Sequence, residues 1–230
     1  MKITWLGHAS FRIEIGGQVL LIDPWLEGNP MLPAESHDAA IAGATHILLT
    51  HAHFDHVQDV LPIARTRKLP IVGQFDLMSY WEEHEHMTTL GFNKGGTLDL
   101  GGVQVTMVHA VHSTSFGTDK GPDVPGTECG YMIAGEGHTI YVSGDTDVMA
   151  DMKVFHDLHA PDIGILCAGG HFTMDMRRAA YAAKTFFDFK TVIPCHYRTF
   201  DFLEQSADTL VEALPGADVI EPEVMTPIEI

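Results

Sequence analysis

Cysteine is scarce in this sequence of 230 residues, and the few cysteines that occur show no pairing pattern. Cys129, Cys167 and Cys195 are odd in number, widely spaced and without a CxxC pair. Disulfide-stabilised secreted domains instead carry an even number of cysteines at regular spacings. The sequence therefore predicts free thiols in a reducing compartment, and we expect the protein in the cytoplasm.

Signals for secretion and for membrane insertion are also missing. The opening residues, MKITWLGHAS, lack the apolar run that a signal peptide has after its basic residue, here Lys2. No apolar stretch approaches the length of about 18 residues that a membrane span needs. We therefore expect neither a leader nor a membrane partner.

Motifs of several large enzyme classes are absent, and basic residues are few. The chain has no G-x-S-x-G segment, which marks serine hydrolases, and neither a P-loop nor a G-x-G-x-x-G segment. Its 13 Lys and Arg stand against 31 Asp and Glu, which gives a net charge of −18. Such a surface repels polyanions, so no nucleic-acid partner is expected.

The sequence does have a regular alternation of short apolar segments and amphipathic ones. Strands are predicted at 3–6, 11–15, 19–22, 46–50, 70–72, 103–111, 130–134, 139–143, 163–167 and 191–194. Helices are predicted at 57–67, 76–90, 175–187 and 202–214, with one short helix in the loop before Ala44 and an irregular loop at 113–126. This order favours a layered α/β protein, and because no linker interrupts it, we predict a single domain over residues 1–230.

The strongest functional signal is the segment HAHFDH at 51–56, which follows the apolar run 46–50 and opens a helix. His51 and His53 can point to one side of a strand end, while Asp55 and His56 can face a second position nearby. Imidazole and carboxylate together suit Zn²⁺, Mn²⁺ or Fe²⁺ rather than Ca²⁺. The alternative is a set of surface histidines at a helix start, with Asp55 as its cap.

HAHFDH matches the HxHxDH motif of the metallo-β-lactamase superfamily, and the rest of the chain resembles that family's order of motifs. A histidine, an aspartate and a histidine follow, each just past an apolar strand: His112, Asp145 and His196. The segments WLGHASF, AVHS, SGDTD, GGHFTMD and PCHYRTF resemble, more narrowly, a branch of small stand-alone metal-dependent hydrolases related to L-ascorbate-phosphate lactonase. The resemblance covers nearly the whole chain.

The resemblance implies a four-layer αβ/βα sandwich of two mixed β-sheets, with helices outside and the site at the edge where strands end. It implies two divalent metal ions, with zinc favoured and manganese or iron as alternatives. The first ion is then held by His51, His53 and His112, the second by Asp55, His56 and His196, and Asp145 bridges both. A hydroxide between the ions would cleave a small ester, lactone or phosphodiester. The expected partner is a small-molecule substrate, phosphorylated or a lactone; an oligomer of identical chains is left open.

Each of the later ligands has a structural alternative. His109 and His112 lie three apart on a predicted strand and therefore point to opposite faces, so only one can be a ligand. The family pattern favours His112. Asp145 lies in Gly-Asp-Thr, a good turn sequence, and His196 could also be a buried core histidine. The position of both just past an apolar strand favours metal binding.

Three further residues are candidates for the site although the resemblance does not make them metal ligands. His171 follows a strand and two glycines, so its loop can approach the metals. We predict a catalytic role for it beside Asp55 and Asp145, either in binding the substrate or in protonating the leaving group. The alternative is a structural residue at a helix start. His8 is either close to the site or a packing residue, and Arg198 either binds an anionic group or forms a surface ion pair.

A second class of reaction on the same fold competes with hydrolysis. Persulfide dioxygenases also contain HxHxDH, but they bind a single iron. They do not use the second metal site, which in this sequence would include Asp55. Metal content separates this oxidoreductase alternative from the hydrolase. Among hydrolase substrates, a lactone follows the closest resemblance and a phosphodiester comes second, whereas RNA is disfavoured by the charge of −18.

Overall fold

Two mixed β-sheets of seven strands each form the centre of the computed structural model, which describes residues 1–118, 121–123 and 126–230. The strands of the first sheet are Lys2–Trp5 (β1), Phe11–Ile15 (β2), Gln18–Ile22 (β3), His46–Leu48 (β4), Ile71–Gln74 (β5), Thr89–Phe92 (β6) and Pro227–Glu229 (β16). Their order across the sheet is β16-β1-β2-β3-β4-β5-β6. The four strands from β3 to β6 run parallel to one another.

The second sheet is built largely from the other half of the chain. Its strands are Thr97–Asp99 (β7), Gln104–His109 (β8), Cys129–Gly135 (β11), His138–Val142 (β12), Ile163–Cys167 (β13), Thr191–Cys195 (β14) and Asp218–Val219 (β15), in the order β15-β14-β13-β12-β11-β8-β7. The four strands from β12 to β15 are parallel. A separate antiparallel pair, Phe116–Thr118 (β9) and Gly121–Asp123 (β10), is described by its backbone alone.

Helices cover the outer face of each sheet. They are His37–Ile41 (α1), Phe54–Val57 (α2), Val60–Arg67 (α3), Phe75–Glu85 (α4), Asp151–His159 (α5), Met176–Phe186 (α6) and Asp208–Ala213 (α7), with a 3₁₀ turn at Ala34–Ser36. Strand β3 shows how the layers form. Leu20 and Ile22 belong to the cluster between the sheets, whereas Leu21 packs with Ile63 and Trp81 from the helices outside. Because successive strand residues point to opposite faces, a strand with all its apolar residues buried must be covered on both sides.

The architecture is therefore a four-layer αβ/βα sandwich, as the resemblance implied. Several boundaries differ from the prediction. The helix predicted at 76–90 ends at Glu85, where His86 adopts a left-handed backbone with φ of 54°. Residues after it pair with β5 as strand β6. Pairing within the sheet thus outweighs the helical preference of this segment.

Three other segments also depart from the prediction. The helix predicted at 57–67 is split into α2 and α3, and the one predicted at 202–214 is reduced to α7. The loop predicted at 113–126 contains β9 and β10, and its residues 119, 120, 124 and 125 lie outside the described part of the chain. No helix is predicted from the sequence at the position of α5.

Parallel strands bring the chemically active segments together. The carboxyl ends of parallel neighbours meet at one edge of a sheet. Asp23 follows β3, and the HAHFDH segment follows β4 almost at once. In the second sheet Asp145 follows β12, and His196 follows β14. The fold thereby places all these side chains at one edge of the sandwich.

Both sheets contribute to one buried cluster of apolar side chains. It joins Ile3 and Phe11 of the first sheet with Tyr131 and Ile165 of the second. We propose on this ground that residues 1–230 form one domain. Among the described residues, no helix is both long enough and apolar enough to cross a membrane.

Candidate metal centre

The structure brings all seven predicted metal ligands together at the edge where the parallel strands end. They are His51, His53, Asp55, His56, His112, Asp145 and His196. Two groups of donor atoms can be distinguished by distance, and Asp145 lies between them. No side chain among the seven has more than intermediate exposure, so water competes weakly for these donors.

The first group consists of His51, His53 and His112. Nδ1 of His53 lies 3.0 Å from Nε2 of His51 and 3.3 Å from Nε2 of His112. Nitrogen atoms bound to a tetrahedral zinc ion would lie roughly 3.3 Å apart. The Thr50 hydroxyl, 3.1 Å from Nδ1 of His51, leaves the other ring nitrogen of His51 facing this group. The three nitrogens are thus spaced as ligands of one ion.

The second group consists of Asp55, His56 and His196. Oδ2 of Asp55 lies 3.5 Å from Nε2 of His196 and 3.7 Å from Nε2 of His56. The rings of His56 and His196 are fully buried. Asp55 lies in the first turn of α2, which begins directly after His53. These atoms can serve as a second set of two nitrogens and one oxygen.

One oxygen atom of Asp145, Oδ2, lies between the two groups of donor atoms. Its Oδ2 is 3.1 Å from Nε2 of His196 and 3.4 Å from Nε2 of His56, both in the second group. The same oxygen is 3.6 Å from Nε2 of His112 and 3.9 Å from Nε2 of His51, both in the first. One carboxylate oxygen is therefore within reach of both sets of ligands.

The unpaired atoms and the charges of the cluster both fit a bound cation. Nε2 of His56 and Oδ1 of Asp145 are buried without a hydrogen-bond partner among the described residues, and such atoms cost about 1–3 kcal/mol each. Burial alone would raise the pKa of Asp145, but His196 and His56 hold it well below its usual range. Burial alone would lower the pKa of His196, but Asp145 and Asp55 raise it to about 9. The residues thus favour positive charge at the centre of the cluster.

Asp23 orients His56 from behind, a role that the sequence analysis missed. Oδ2 of Asp23 accepts a hydrogen bond from Nδ1 of His56 at 2.7 Å, so the opposite ring nitrogen faces Asp145. The Thr50 backbone N–H and hydroxyl both donate to the same carboxylate. A carboxylate behind a ligating histidine fixes the ring and its tautomer. The available signal was an aspartate directly after a buried strand adjacent to the motif.

His8 holds Asp55 in the same way. Its Nε2 donates to Oδ2 of Asp55 at 2.8 Å, and its Nδ1 lies 2.7 Å from the Thr199 hydroxyl. Burial, with His196 nearby, lowers the pKa of His8 to about 4, so the ring is neutral at pH 7. A neutral ring that donates from Nε2 accepts from Thr199 at Nδ1 and has no nitrogen left for an ion. The structure therefore places His8 at the site as a support for Asp55.

Replacing His8 with alanine is expected to weaken metal binding by about 10- to 100-fold, because Asp55 loses the donor that orients it. Competition with a chromophoric chelator measures this affinity. His138→Ala is a matched control, since His138 donates to Asp162 at the same distance of 2.8 Å but from the opposite end of β12. Equal metal affinity in His8→Ala and the parent protein would contradict the role of His8.

The other candidate residues, His109, His171 and Arg198, are exposed. His109 ends β8 and is exposed, which leaves His112 as the histidine of this segment at the cluster. The exposed ring of His171 contacts the rings of Phe172 and Phe202, with centroid distances of 4.5 and 5.0 Å. Arg198 is exposed and lies over the ring of its own neighbour in sequence, Tyr197.

Gly169 allows the loop after β13 to approach the cluster closely. A Cβ atom at this position would lie 1.7 Å from the carbonyl oxygen of His196 and 3.3 Å from its Nδ1. Glu204 fixes the loop from the other side by donating its backbone N–H to the carbonyl of Gly169 at 2.9 Å. Only glycine fits between these two segments of backbone.

The sequence and the fold both match known proteins over nearly their full length. Residues 2–196 match a domain of the β-lactamase superfamily. A UPF0173 metal-dependent hydrolase from Dinoroseobacter shibae is 68% identical over 230 residues and covers 100% of both chains, and one from Ruegeria pomeroyi is 66% identical with the same coverage. Among solved structures, the metallo hydrolase Igni18 from Ignicoccus hospitalis is 29% identical, with a TM-score of 0.84, 100% of this chain covered and 98% of that one.

These matches extend through all seven clustered side chains, since His196, the last of them, ends the superfamily match. The identity to the UPF0173 proteins covers the remaining residues as well. The chain therefore belongs to the metallo-β-lactamase superfamily and, within it, to the UPF0173 metal-dependent hydrolases.

Proposed function

We propose that the protein is a dinuclear hydrolase that cleaves a small ester, lactone or phosphodiester. The observation that carries this proposal is the position of Oδ2 of Asp145, within 3.9 Å of donor nitrogens from both groups of ligands. A site for one ion would need only one of these groups. The UPF0173 relatives are metal-dependent hydrolases and Igni18 is a metallo hydrolase, whereas the number of ions and the substrate are our inference.

The ligands divide between the ions according to their distances. His51, His53 and His112 would hold one ion, Asp55, His56 and His196 the other, and Asp145 would contact both. Bound there, two divalent cations would lower the pKa of a water molecule and polarise the bond that it attacks. Asp55 and Asp145 would thereby act in catalysis.

The chain's own side chains keep this arrangement rigid. Asp23 accepts a hydrogen bond from the ring of His56, and His8 donates one to the carboxylate of Asp55. His56 and Asp55 would therefore keep one orientation during turnover. For His171 we retain the proposal that it binds the substrate or protonates the leaving group. Its support is the loop that carries it, since the neighbouring Phe172 lines the cavity above the cluster.

The donor set favours zinc, with manganese and iron as alternatives. Imidazole nitrogens outnumber carboxylate oxygens among the ligands, which suits Zn²⁺ better than hard cations. The three cysteines are buried free thiols, and burial raises the pKa of Cys129 and Cys167 to about 12. These thiols stay protonated, so they do not compete for the metal, and they agree with our proposal of a cytoplasmic protein.

The first test is elemental analysis of protein purified without added metal or chelator. We expect about two zinc or manganese ions per chain, together with hydrolysis of esters or lactones that dialysis against a chelator abolishes. Readdition of the metal should restore the activity. A single iron per chain, with oxygen uptake in the presence of a persulfide, would replace this proposal by the oxidoreductase alternative.

A further inference from the structure

An open cavity of about 1050 Å³ lies above the candidate metal centre. His53, His112 and Asp145 form part of its floor, and Asp55 and His196 reach it as well. The cavity is much larger than the space needed by the reacting atoms of an ester. Most of its volume is therefore available to parts of a substrate that do not react.

One wall of this cavity is apolar and is formed by consecutive helices. Val57 ends α2, Leu61 lies on α3, and Tyr80 and Trp81 lie on α4. The ring of Trp81 is 3% exposed, and the other three side chains are partly buried. These helices pack on the first sheet, so the wall is a fixed surface next to the metal centre.

Exposed aromatic rings stand on the rim of the cavity. Phe54, within the HAHFDH segment, is 60% exposed, and Phe172, from the loop after β13, is 56% exposed. Both line the cavity. The ring of Phe54 leans edge-on against Trp25, with centroids 5.7 Å apart. Large exposed apolar side chains from two separate segments, the start of α2 and the loop after β13, indicate a surface that a ligand covers.

Carboxylates, but neither lysine nor arginine, line this cavity among the residues that the structure describes. The carboxylates are those of Asp55, Asp145 and Glu85. Of these carboxylates, Glu85 is paired with Arg65, a residue outside the lining. An anionic group placed against the apolar wall would thus lose hydration without gaining a positive partner among the described lining residues.

We infer that the substrate is a carboxylic ester or lactone with an uncharged apolar acyl group, which lies against Val57, Leu61, Tyr80 and Trp81. This inference rests on the proposed hydrolase function and narrows its substrate. In the reaction, water attacks the acyl carbon, the bond from that carbon to the ester oxygen breaks, and the acid product keeps the water's oxygen. One proton of the water goes to the leaving alkoxide.

The inference is tested with metal-loaded protein and nitrophenyl esters of increasing acyl length. We expect kcat/KM to rise roughly fourfold per methylene from acetate to hexanoate, as each methylene leaves water for the apolar wall. The mono-nitrophenyl ester of succinic acid places a carboxylate where valerate has its terminal ethyl group, and it should be hydrolysed at least about tenfold more slowly than the valerate ester. Equal rates along the series, or a preference for the succinate or for nitrophenyl phosphate, would overturn the inference.

Leu61→Lys tests the location of the acyl group. It introduces an ammonium group into the wall, so the preference for hexanoate over acetate should fall by about tenfold and the succinate ester should gain relative to valerate. Leu158→Lys is the matched control: Leu158 is 73% exposed on α5, and its replacement should leave the whole series unchanged. The same chain-length preference in Leu61→Lys and the parent protein would contradict the assignment of the wall.

Binding without turnover separates this inference from the proposed function. If metal-loaded protein cleaves none of the esters, the proposed esterase or lactonase activity fails. Calorimetric titration with acetohydroxamate, butyrohydroxamate and hexanohydroxamate then decides the inference alone. Affinity that grows with chain length in the parent protein and is flattened in Leu61→Lys supports the apolar wall as a binding surface. Affinity independent of chain length overturns it.

Discussion

Replacing Asp145 with alanine is expected to abolish hydrolysis and to lower the metal content, while the fold is kept. The change removes the oxygen that lies 3.1 Å from Nε2 of His196 and 3.6 Å from Nε2 of His112, so neither group of ligands stays complete. We expect kcat/KM to fall by about three orders of magnitude or more. Steady-state kinetics, elemental analysis and circular dichroism measure the three parts of this result.

Two companion variants make the Asp145 experiment specific. Asp145→Asn keeps the size and one oxygen but removes the charge, and it should retain more metal than Asp145→Ala. Asp147→Ala removes an aspartate two residues away that pairs with Arg178 at the surface, and it should leave metal content and activity unchanged. Full activity in Asp145→Ala would refute the proposal that this carboxylate contacts both ions.

Replacing Gly169 with alanine is the second change for which we expect a large effect. The added Cβ would lie 1.7 Å from the carbonyl oxygen of His196, so one of the two backbone segments must move. Overpacking of this kind costs about 1–3 kcal/mol of unfolding free energy, and contact with backbone atoms places this case at the upper end. Displacement of His196 should also weaken the binding of one ion by at least about tenfold.

Thermal unfolding and metal titration of Gly169→Ala measure the two effects. Gly216→Ala is a suitable control, because a Cβ at Gly216 would have no heavy atom within 4 Å and the backbone there needs no positive φ. The unfolding free energy of Gly216→Ala should lie within about 0.5 kcal/mol of that of the parent protein. Equal metal affinity and equal stability in Gly169→Ala and Gly216→Ala would contradict this prediction. They would show that the close approach of Gly169 does not position His196.

The positions of the candidate ligands could be predicted because each one directly follows an apolar strand. The HAHFDH segment is contiguous, so its chemistry is visible without the fold. His112, Asp145 and His196 were identified by the resemblance to the metallo-β-lactamase order of motifs, with each residue just past an apolar strand. The structure brings atoms of all three residues within 3.5 Å of side chains of the motif.

The supporting residues could not be identified in the same way. Asp23 and His56 are 33 positions apart, and His8 and Asp55 are 47 apart. Their hydrogen bonds depend on β3 lying beside β4 and on the turn after β1, where His8 adopts a left-handed backbone with φ of 53°. A periodic pattern in the sequence contains neither the strand order nor this turn.

Helix boundaries failed where tertiary contacts decide. Residues 202–207 have a helical composition, yet Phe202 stacks on Phe200 with centroids 5.4 Å apart and stays outside α7. Helix α5 lies in a segment with two exposed apolar residues, Val154 and Leu158, on its outer side. These residues blur the amphipathic period by which a helix is recognised.

The seven clustered side chains come from distant parts of the chain, four from the HAHFDH segment and three from beyond β8, β12 and β14. In an unfolded chain an ion meets the HAHFDH segment alone, because the other donors must first overcome the entropy of closing long loops. Metal binding therefore selects chains in which both sheets have docked, and it stabilises them by mass action. The lifetime of the protein in a cell would then follow the supply of its metal, since a metal-starved chain opens more often to proteases.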